Sequence, residues 1–207
     1  MVKVVVVMGT GFRGAGCARA LSDVAEAVVF VRRASDDLSD SGSAVPDGVT
    51  VVPLPGKECD PDTYEVAVEH IETVVGPVDV WVTLCHVTGT RTFGEITPAD
   101  TRAAVEAGYL APVHAAMAVL ERMTARDRGT VVHVVREPDP DDRSGRTHTL
   151  GVGRAVRGFH DALTAELAAD GSSVSSVLLE LPVDAAPEDV AGAVAQVVRD
   201  STQASRP

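Results

Sequence analysis

Glycines near the N-terminus have the spacing of a phosphate-binding turn. They follow an apolar run at residues 2–8, in the order Gly9-Thr10-Gly11-Phe12-Arg13-Gly14-Ala15-Gly16. Gly9, Gly11 and Gly14 would let backbone N–H groups approach a pyrophosphate, and a helix beginning here would add the positive end of its dipole. The spacing predicts a dinucleotide site, and the alternative is a tight turn that binds no ligand.

Polar residues lie near or beyond the ends of the later apolar runs, and neighbouring parallel strands would bring such ends together at one edge of a sheet. They are Cys85, His86, Arg136, Glu137, His148 and Glu180. A histidine paired with a carboxylate could move a proton without transferring a hydride. The alternatives are that Cys85 is a small core residue, that Arg136 and Glu137 form a surface ion pair, and that His133 is a hydrogen-bonded core histidine.

The composition narrows the classes of partner. The chain has 207 residues and a formal net charge of -12, whereas proteins that bind nucleic acid or an anionic membrane surface cluster Lys and Arg. We expect neither partner. Cys17, Cys59 and Cys85 lack metal-ligand spacing, and their odd number favours reduced thiols in a cytoplasmic protein without a metal site. The N-terminal apolar run is too short to span a bilayer.

Strand and helix patterns alternate along the chain. Apolar runs predict strands at residues 2–8, 27–31, 49–52, 78–84, 131–135 and 174–181. Helical spacing and start signals predict helices after the glycines and at residues 61–75, 98–123, 150–169 and 187–198. Alternation of this kind predicts a single α/β domain over residues 1–200, a doubly wound parallel sheet of about six strands with helices on both faces. Residues 201–207 are predicted to be a disordered tail.

The order and spacing of these stretches resemble the short-chain dehydrogenase/reductase family over nearly the whole chain. The likeness is carried by the glycine turn and by residues 77–82, 93–100, 128–132, 155–159 and 163–167. It implies a Rossmann-like fold with a nicotinamide cofactor at the glycine turn.

The resemblance also indicates which cofactor to expect. The family motif T-G-x-x-x-G-x-G is matched at Gly14 and Gly16, while its first pair is inverted here. Arg13 stands where NADP-preferring members often have a basic residue, and Arg32, followed by Arg33, stands where NAD-preferring members have Asp. A guanidinium suits a 2′-phosphate, so NADP(H) is the expected cofactor.

The family's catalytic positions carry other residue types in this chain. The resemblance aligns the family serine with Arg136, and the tyrosine and lysine with Thr149 and Gly153. Carbonyl reduction in the family uses the tyrosine hydroxyl as proton donor and the lysine to lower its pKa. We therefore expect no standard reductase chemistry.

The long helix departs from the family as well. The resemblance aligns a family asparagine with Gly108. Pro112, four residues later, has no N–H to donate to the Gly108 carbonyl, and this predicts a bend in the helix.

Self-association is expected through the two long helices. Family members pair through them, and small residues on the first would permit close approach: Ala103, Ala107, Ala111 and Ala115. The partner would be a second copy or another chain of the family. A partner could also cover the site, because residues 180–184 lead almost directly into the last helix and leave little chain for a lid.

Three functional hypotheses remain open. The first, our working hypothesis, is a non-redox isomerase, cyclase or dehydratase that acts on a small organic molecule through His86, His148 or a nearby carboxylate. The second is a non-catalytic subunit that binds a nucleotide or a related active chain. The third is an NADP-dependent oxidoreductase with a different proton donor.

Overall fold

Six parallel strands form one sheet in the order β3-β2-β1-β4-β5-β6. The computed structural model describes residues 2–9, 11–32, 47–57, 60–85, 91–137, 146–182 and 184–204. The strands are β1 Val2–Met8, β2 Ala25–Arg32, β3 Val49–Pro53, β4 Val80–Leu84, β5 Thr130–Glu137 and β6 Ser175–Pro182. The predicted α/β fold is confirmed.

Helices cover both faces of the sheet. They are α1 Gly11–Leu21, α2 Pro61–Val74, α3 Pro98–Val105, α4 Ala111–Ala125, α5 Thr147–Ala169 and α6 Pro187–Ala204. Side chains of α2, α4 and α5 share one core cluster with the sheet, and those of α1 and α6 share another. β1 supplies both clusters, since Val4 and Val6 face the first and Val5 and Val7 the second. This burial on both faces explains its uninterrupted apolar run.

The predicted 98–123 helix is divided into α3 and α4 by a π turn, Glu106–Leu110. α3 begins at a capping box in which Thr97 accepts from the Asp100 N–H. In the π turn the Ala111 N–H donates to the Glu106 carbonyl, five residues back. Pro112 has no N–H for the regular pattern, so the helix is interrupted where the sequence predicts a bend.

The segment Pro98–Ala125 is also the one described helical segment long and apolar enough to cross a membrane by length and composition. In this structure α4 packs on the sheet instead, with Ala115, Val119 and Met123 fully buried. A core helix of this kind meets the same length and composition criteria.

Two helix boundaries differ from the sequence-based ones. α5 begins at Thr147, three residues earlier than predicted, and its N-cap residue Arg146 makes no side-chain capping bond that could have marked the start. α6 continues to Ala204, so the first four residues of the predicted tail are helical. Residues 205–207 lie outside the described part of the chain.

Candidate functional site

The glycine turn lies between β1 and α1, against the side chains of two neighbouring strands. A Cβ at Gly14 would lie 2.5 Å from Phe30 Cε2 of β2, and one at Gly9 would lie 2.9 Å from Leu84 Cδ1 of β4. α1 begins at Gly11 and has no acidic residue in its first turn. The turn therefore brings an uncompensated helix N-terminus close to the carboxyl end of the sheet, where nucleotides bind in folds of this kind.

The other predicted cofactor residues are placed as follows. Arg13 lies in the first turn of α1, and Gly16 is half-buried in the same helix. Arg32 is the last residue of β2, is half-buried, and pairs in register with Pro53 of β3. Thr10 and Arg33 lie outside the described residues.

Cys85 follows β4 and is part of the core. Its N–H donates to the Val134 carbonyl at 2.9 Å, and its Sγ lies 3.8 Å from the Thr83 carbonyl oxygen. Burial raises the pKa of the thiol to about 12, so it stays protonated and is a poor nucleophile at neutral pH. This agrees with the prediction of a small core residue. His86, the neighbouring candidate, lies outside the described residues.

Arg136 and Glu137, at the end of β5, face different neighbours. Arg136 is only 7% exposed and its Nη2 donates to the Ala185 carbonyl at 3.1 Å, before α6. Glu137 faces α5, where Arg154 Nη2 lies 3.8 Å from its carboxylate. The expectation that the two residues form a surface ion pair is therefore corrected, because Arg136 is buried.

α5 brings Gly153 beside Glu137 and carries His148 towards the start of α3. A Cβ at Gly153 would lie 3.8 Å from Glu137 Oε1, an ordinary contact distance. Hydrogen bonds from Thr97 lower the pKa of Asp100, with smaller contributions from Arg91 and His148. α5 contacts α3, and Thr149 in its first turn is half-buried.

A family model decides which proteins this chain is related to. The model described as short chain dehydrogenase matches residues 3–181. The chain belongs to the short-chain dehydrogenase family. Members of this family bind nicotinamide cofactors.

Individual relatives of the family agree with this assignment. Acetoacetyl-CoA reductase of Cupriavidus necator is 25% identical over 130 residues, which are 63% of this chain and 53% of that protein. A short-chain dehydrogenase from Streptomyces avermitilis has a TM-score of 0.69 at 23% identity, covering 88% of this chain and 65% of the other. A metagenomic short-chain oxidoreductase in complex with NADP has a TM-score of 0.75 at 20% identity, covering 95% and 90%. The chain thus spans about half the length of the curated relatives it matches.

The residues at the glycine turn fit the family's cofactor. A Cβ at Gly9 or Gly14 would collide with Leu84 of β4 or Phe30 of β2, so the start of α1 lies close to both strands. Gly9, Gly11 and Gly14 would hold a pyrophosphate there, and Arg32 lies at the end of the neighbouring strand. A bound nicotinamide would supply a hydride donor or acceptor to this site.

Tyr109 is a residue of interest that is not among the candidates of the sequence analysis. It is half-buried in the π turn and packs against a cluster beside the strand ends, made of Cys85, Ala104, Val135, Val152 and Val156. Val152 directly precedes Gly153, so a phenol lies in the same region as the positions aligned with the family tyrosine and lysine. The signal that could have found it is the pair Gly108 and Pro112, because a π turn displaces the side chains that follow it.

Two further expectations need correction. His133 is fully buried as predicted, yet within the described part of the chain neither ring nitrogen has a hydrogen-bond partner. Ala111 and Ala115 were expected at a helix interface, but they are 3% and 0% exposed, because α4 turns this face towards the sheet. The large apolar residues that are exposed on α3 and α4 are Val105 and Met117.

Proposed function

We propose that this chain binds NADP(H) at the glycine turn and does not carry out the tyrosine-dependent carbonyl reduction of its family. The observation that carries the proposal is the Glu137 carboxylate beside Gly153, the position aligned with the family lysine. A lysine ammonium lowers the pKa of a nearby hydroxyl, whereas a carboxylate raises it. The charge at this point is thus opposite to the one that the reductase chemistry needs.

The non-redox hypothesis gains less support than a non-catalytic role. Arg136 donates a hydrogen bond to the Ala185 carbonyl before α6, whereas Glu137 faces Arg154 of α5. His148 lies in the first turn of α5. These groups do not form one acid–base pair among the described residues. A nucleotide-binding subunit without carbonyl chemistry accounts best for a retained cofactor turn beside dispersed polar groups.

Such a subunit would act in the cytoplasm through a partner chain. Val105 of α3 is 41% exposed and Met117 of α4 is 60% exposed. We propose that these two helices bind a second copy or another short-chain dehydrogenase chain.

Cofactor binding is tested by titration with NADPH and NADH, followed by calorimetry. We expect the chain to bind NADPH more tightly than NADH. Arg32→Asp should lower the affinity for NADPH by at least about tenfold, because an Arg–phosphate hydrogen bond contributes roughly 1.5–3 kcal/mol. Arg19→Asp is the matched control, since Arg19 is exposed at the far end of α1. Equal affinity of wild type and Arg32→Asp for NADPH would refute the assignment.

The absence of carbonyl reduction needs a separate assay. NADPH oxidation is followed with acetoacetyl-CoA and a panel of small ketones and aldehydes. We expect no oxidation above the rate without substrate. Substrate-dependent oxidation by the purified wild-type chain would overturn this half of the proposal even if the nucleotide binds.

A second candidate function is an oxidoreductase that uses another proton donor. The observation that favours it is Tyr109, which packs against the cluster that contains Cys85 and Val152. If carbonyl-dependent oxidation is found, Tyr109→Phe distinguishes this candidate. Loss of activity with unchanged NADPH affinity would identify Tyr109 as the donor, and full activity would exclude it.

A further inference from the structure

β5 extends beyond its neighbour β4 at the carboxyl edge of the sheet. Leu84, the last residue of β4, pairs in register with Val134, whereas β5 continues to Glu137. The residues after Val134 add about 10 Å to the strand. Since β4 lies between β1 and β5, the end of β5 projects beside the carboxyl end of β4, on the side away from the glycine turn.

A dinucleotide at the glycine turn has to reach both sides of β1. Arg32, the residue expected to bind the 2′-phosphate, ends β2 on one side of β1. The adenosine half would lie on that side, because the 2′-phosphate belongs to it. The nicotinamide half would then extend over β4 towards the end of β5, since dinucleotides bind across the point where the strand order reverses.

The last two residues of β5 differ in the accessibility of their side chains. The Arg136 guanidinium is buried and donates to the Ala185 carbonyl. The Glu137 side chain is 28% exposed. Glu137 is therefore the residue at the end of β5 whose polar group a ligand can reach.

The Glu137 carboxylate is held only weakly by its neighbours in α5. Arg154, its ion-pair partner, is largely exposed, and the Arg154 Nη2 lies 3.8 Å from the carboxylate. An exposed ion pair of this length contributes little to stability. A Cβ at Gly153 would lie 3.8 Å from Glu137 Oε1, but glycine has no side chain to pair with it. A ligand can therefore replace the contact with Arg154 at little cost.

NADP(H) offers one group that suits a carboxylate at this point. Its adenosine ribose carries the 2′-phosphate, so its free vicinal diol is that of the nicotinamide ribose. A diol presents two O–H donors, and a carboxylate has only acceptors. Hydrogen bonds from hydroxyls to carboxylates are short and strong, and carboxylates bind ribose hydroxyls in folds of this kind.

We propose that Glu137 binds the nicotinamide ribose of NADP(H) by accepting hydrogen bonds from its diol, an inference that rests on the proposed binding of this cofactor. The carboxylate holds the ribose at the end of β5 and takes no part in proton transfer. This role is compatible with a chain that binds the cofactor and does not reduce carbonyls.

Calorimetry with two ligands tests the assignment. Glu137→Ala should lower the affinity for NADPH by at least about tenfold, because hydrogen bonds to a charged group are lost. The affinity for adenosine 2′,5′-bisphosphate, which has no nicotinamide ribose, should stay within about twofold, since none of its hydrogen bonds is removed. Loss of a negative charge near an anionic ligand would by itself strengthen binding, so a decrease reports the lost hydrogen bonds.

Two further variants control for charge and shape. Glu166→Ala removes the same charge from an exposed position roughly 20 Å along α5 from Gly153, and should leave both affinities unchanged. Glu137→Gln keeps the shape of the side chain and one acceptor oxygen. Its affinity for NADPH should therefore lie between those of wild type and Glu137→Ala.

An NADPH analogue that lacks both hydroxyls of the nicotinamide ribose identifies the group that Glu137 binds. Wild type should bind the analogue at least about tenfold more weakly than NADPH. Glu137→Ala should bind the two ligands alike, because the partner of the diol is already missing. NADPH is chosen because its nicotinamide ring is uncharged, so attraction between the ring and the carboxylate does not contribute.

The outcomes separate this inference from the binding of the cofactor itself. Unchanged NADPH affinity in Glu137→Ala, or equal affinity of wild type for NADPH and the analogue, would overturn the inference and leave cofactor binding intact. Loss of both NADPH and the bisphosphate in Glu137→Ala would indicate a structural role and overturn it as well. If wild type binds neither nucleotide, the proposed cofactor binding is refuted and the inference fails with it.

Discussion

Two regions at the carboxyl edge of the sheet contain glycines for different reasons. Near the start of α1, directly after the turn from β1, a side chain on Gly14 would lie 2.5 Å from the ring of Phe30, which is 1% exposed. At the start of α5, the nearest heavy atom to a Cβ on Gly153 is 3.8 Å away. Packing demands glycine at the first position and permits any small residue at the second.

Gly14 is required by the packing of the fold, whereas Gly153 is not. Gly14 is needed for α1 to approach β2, so the glycine pattern would persist in this fold with or without a nucleotide. Gly153 has no such packing reason, and the Glu137 carboxylate lies beside it. The glycine motif is therefore evidence for the fold first, and the case for NADP(H) depends on Arg32 and on a helix start without acidic residues.

The largest expected effect concerns His133, in β5 on the α5 side of the sheet. Burial, with a smaller contribution from His160, lowers the pKa of His133 to about 4. As the pH falls from about 6.5, this histidine becomes protonated in the unfolded chain but stays neutral in the folded chain. The free energy of unfolding is therefore highest above pH 6.5 and falls by about 3 kcal/mol as the pH approaches 4.

His133→Leu should remove this part of the pH dependence. Urea unfolding at pH 7 and pH 5 measures it, and the variant should gain about 1 kcal/mol at pH 7, because two unpaired ring nitrogens leave the core. Phe159→Leu is the control, since it alters the ring that packs edge-on against His133 and keeps the imidazole. An unchanged pH slope in His133→Leu would contradict the prediction.

Gly14→Ala tests the tightly packed region. The added methyl group would collide with the buried Phe30 ring, and overpacking of this kind costs about 2 kcal/mol. Gly151→Ala in α5 is the control, because a Cβ there meets no atom within 4 Å. Urea unfolding compares the two variants, and a stability of Gly14→Ala equal to wild type would show that packing does not demand this glycine.

The sequence predicts those elements whose signals are local. Thr97 and Asp100 mark the start of α3, and the Val4–Val7 run marks a strand that is buried on both faces. Pro112 marks the interruption of the long helix, because its missing N–H acts within one turn. The fold follows from such signals, since alternating elements allow few topologies.

The arrangement of the site depends on contacts between distant parts of the chain. The sequence does not reveal that Arg136 reaches Ala185, which is 49 residues away. Ala111 and Ala115 fit a helix interface by type and spacing, but small residues suit a close approach to the sheet equally well. Residue type gives the capacity for a contact, and the tertiary packing selects the neighbour.

Gly153→Ala completes the comparison with the smallest effect. Alanine favours a helix over glycine by roughly 0.5–1 kcal/mol, and the methyl group at 3.8 Å from Glu137 Oε1 fits without displacement. We therefore expect a gain in stability of this size by urea unfolding, with NADPH affinity unchanged. The same change lowers stability at Gly14, so the two variants should differ in sign. A loss at Gly153 would mean that α5 is packed as tightly as the glycine turn, and the distinction between the two regions would fail.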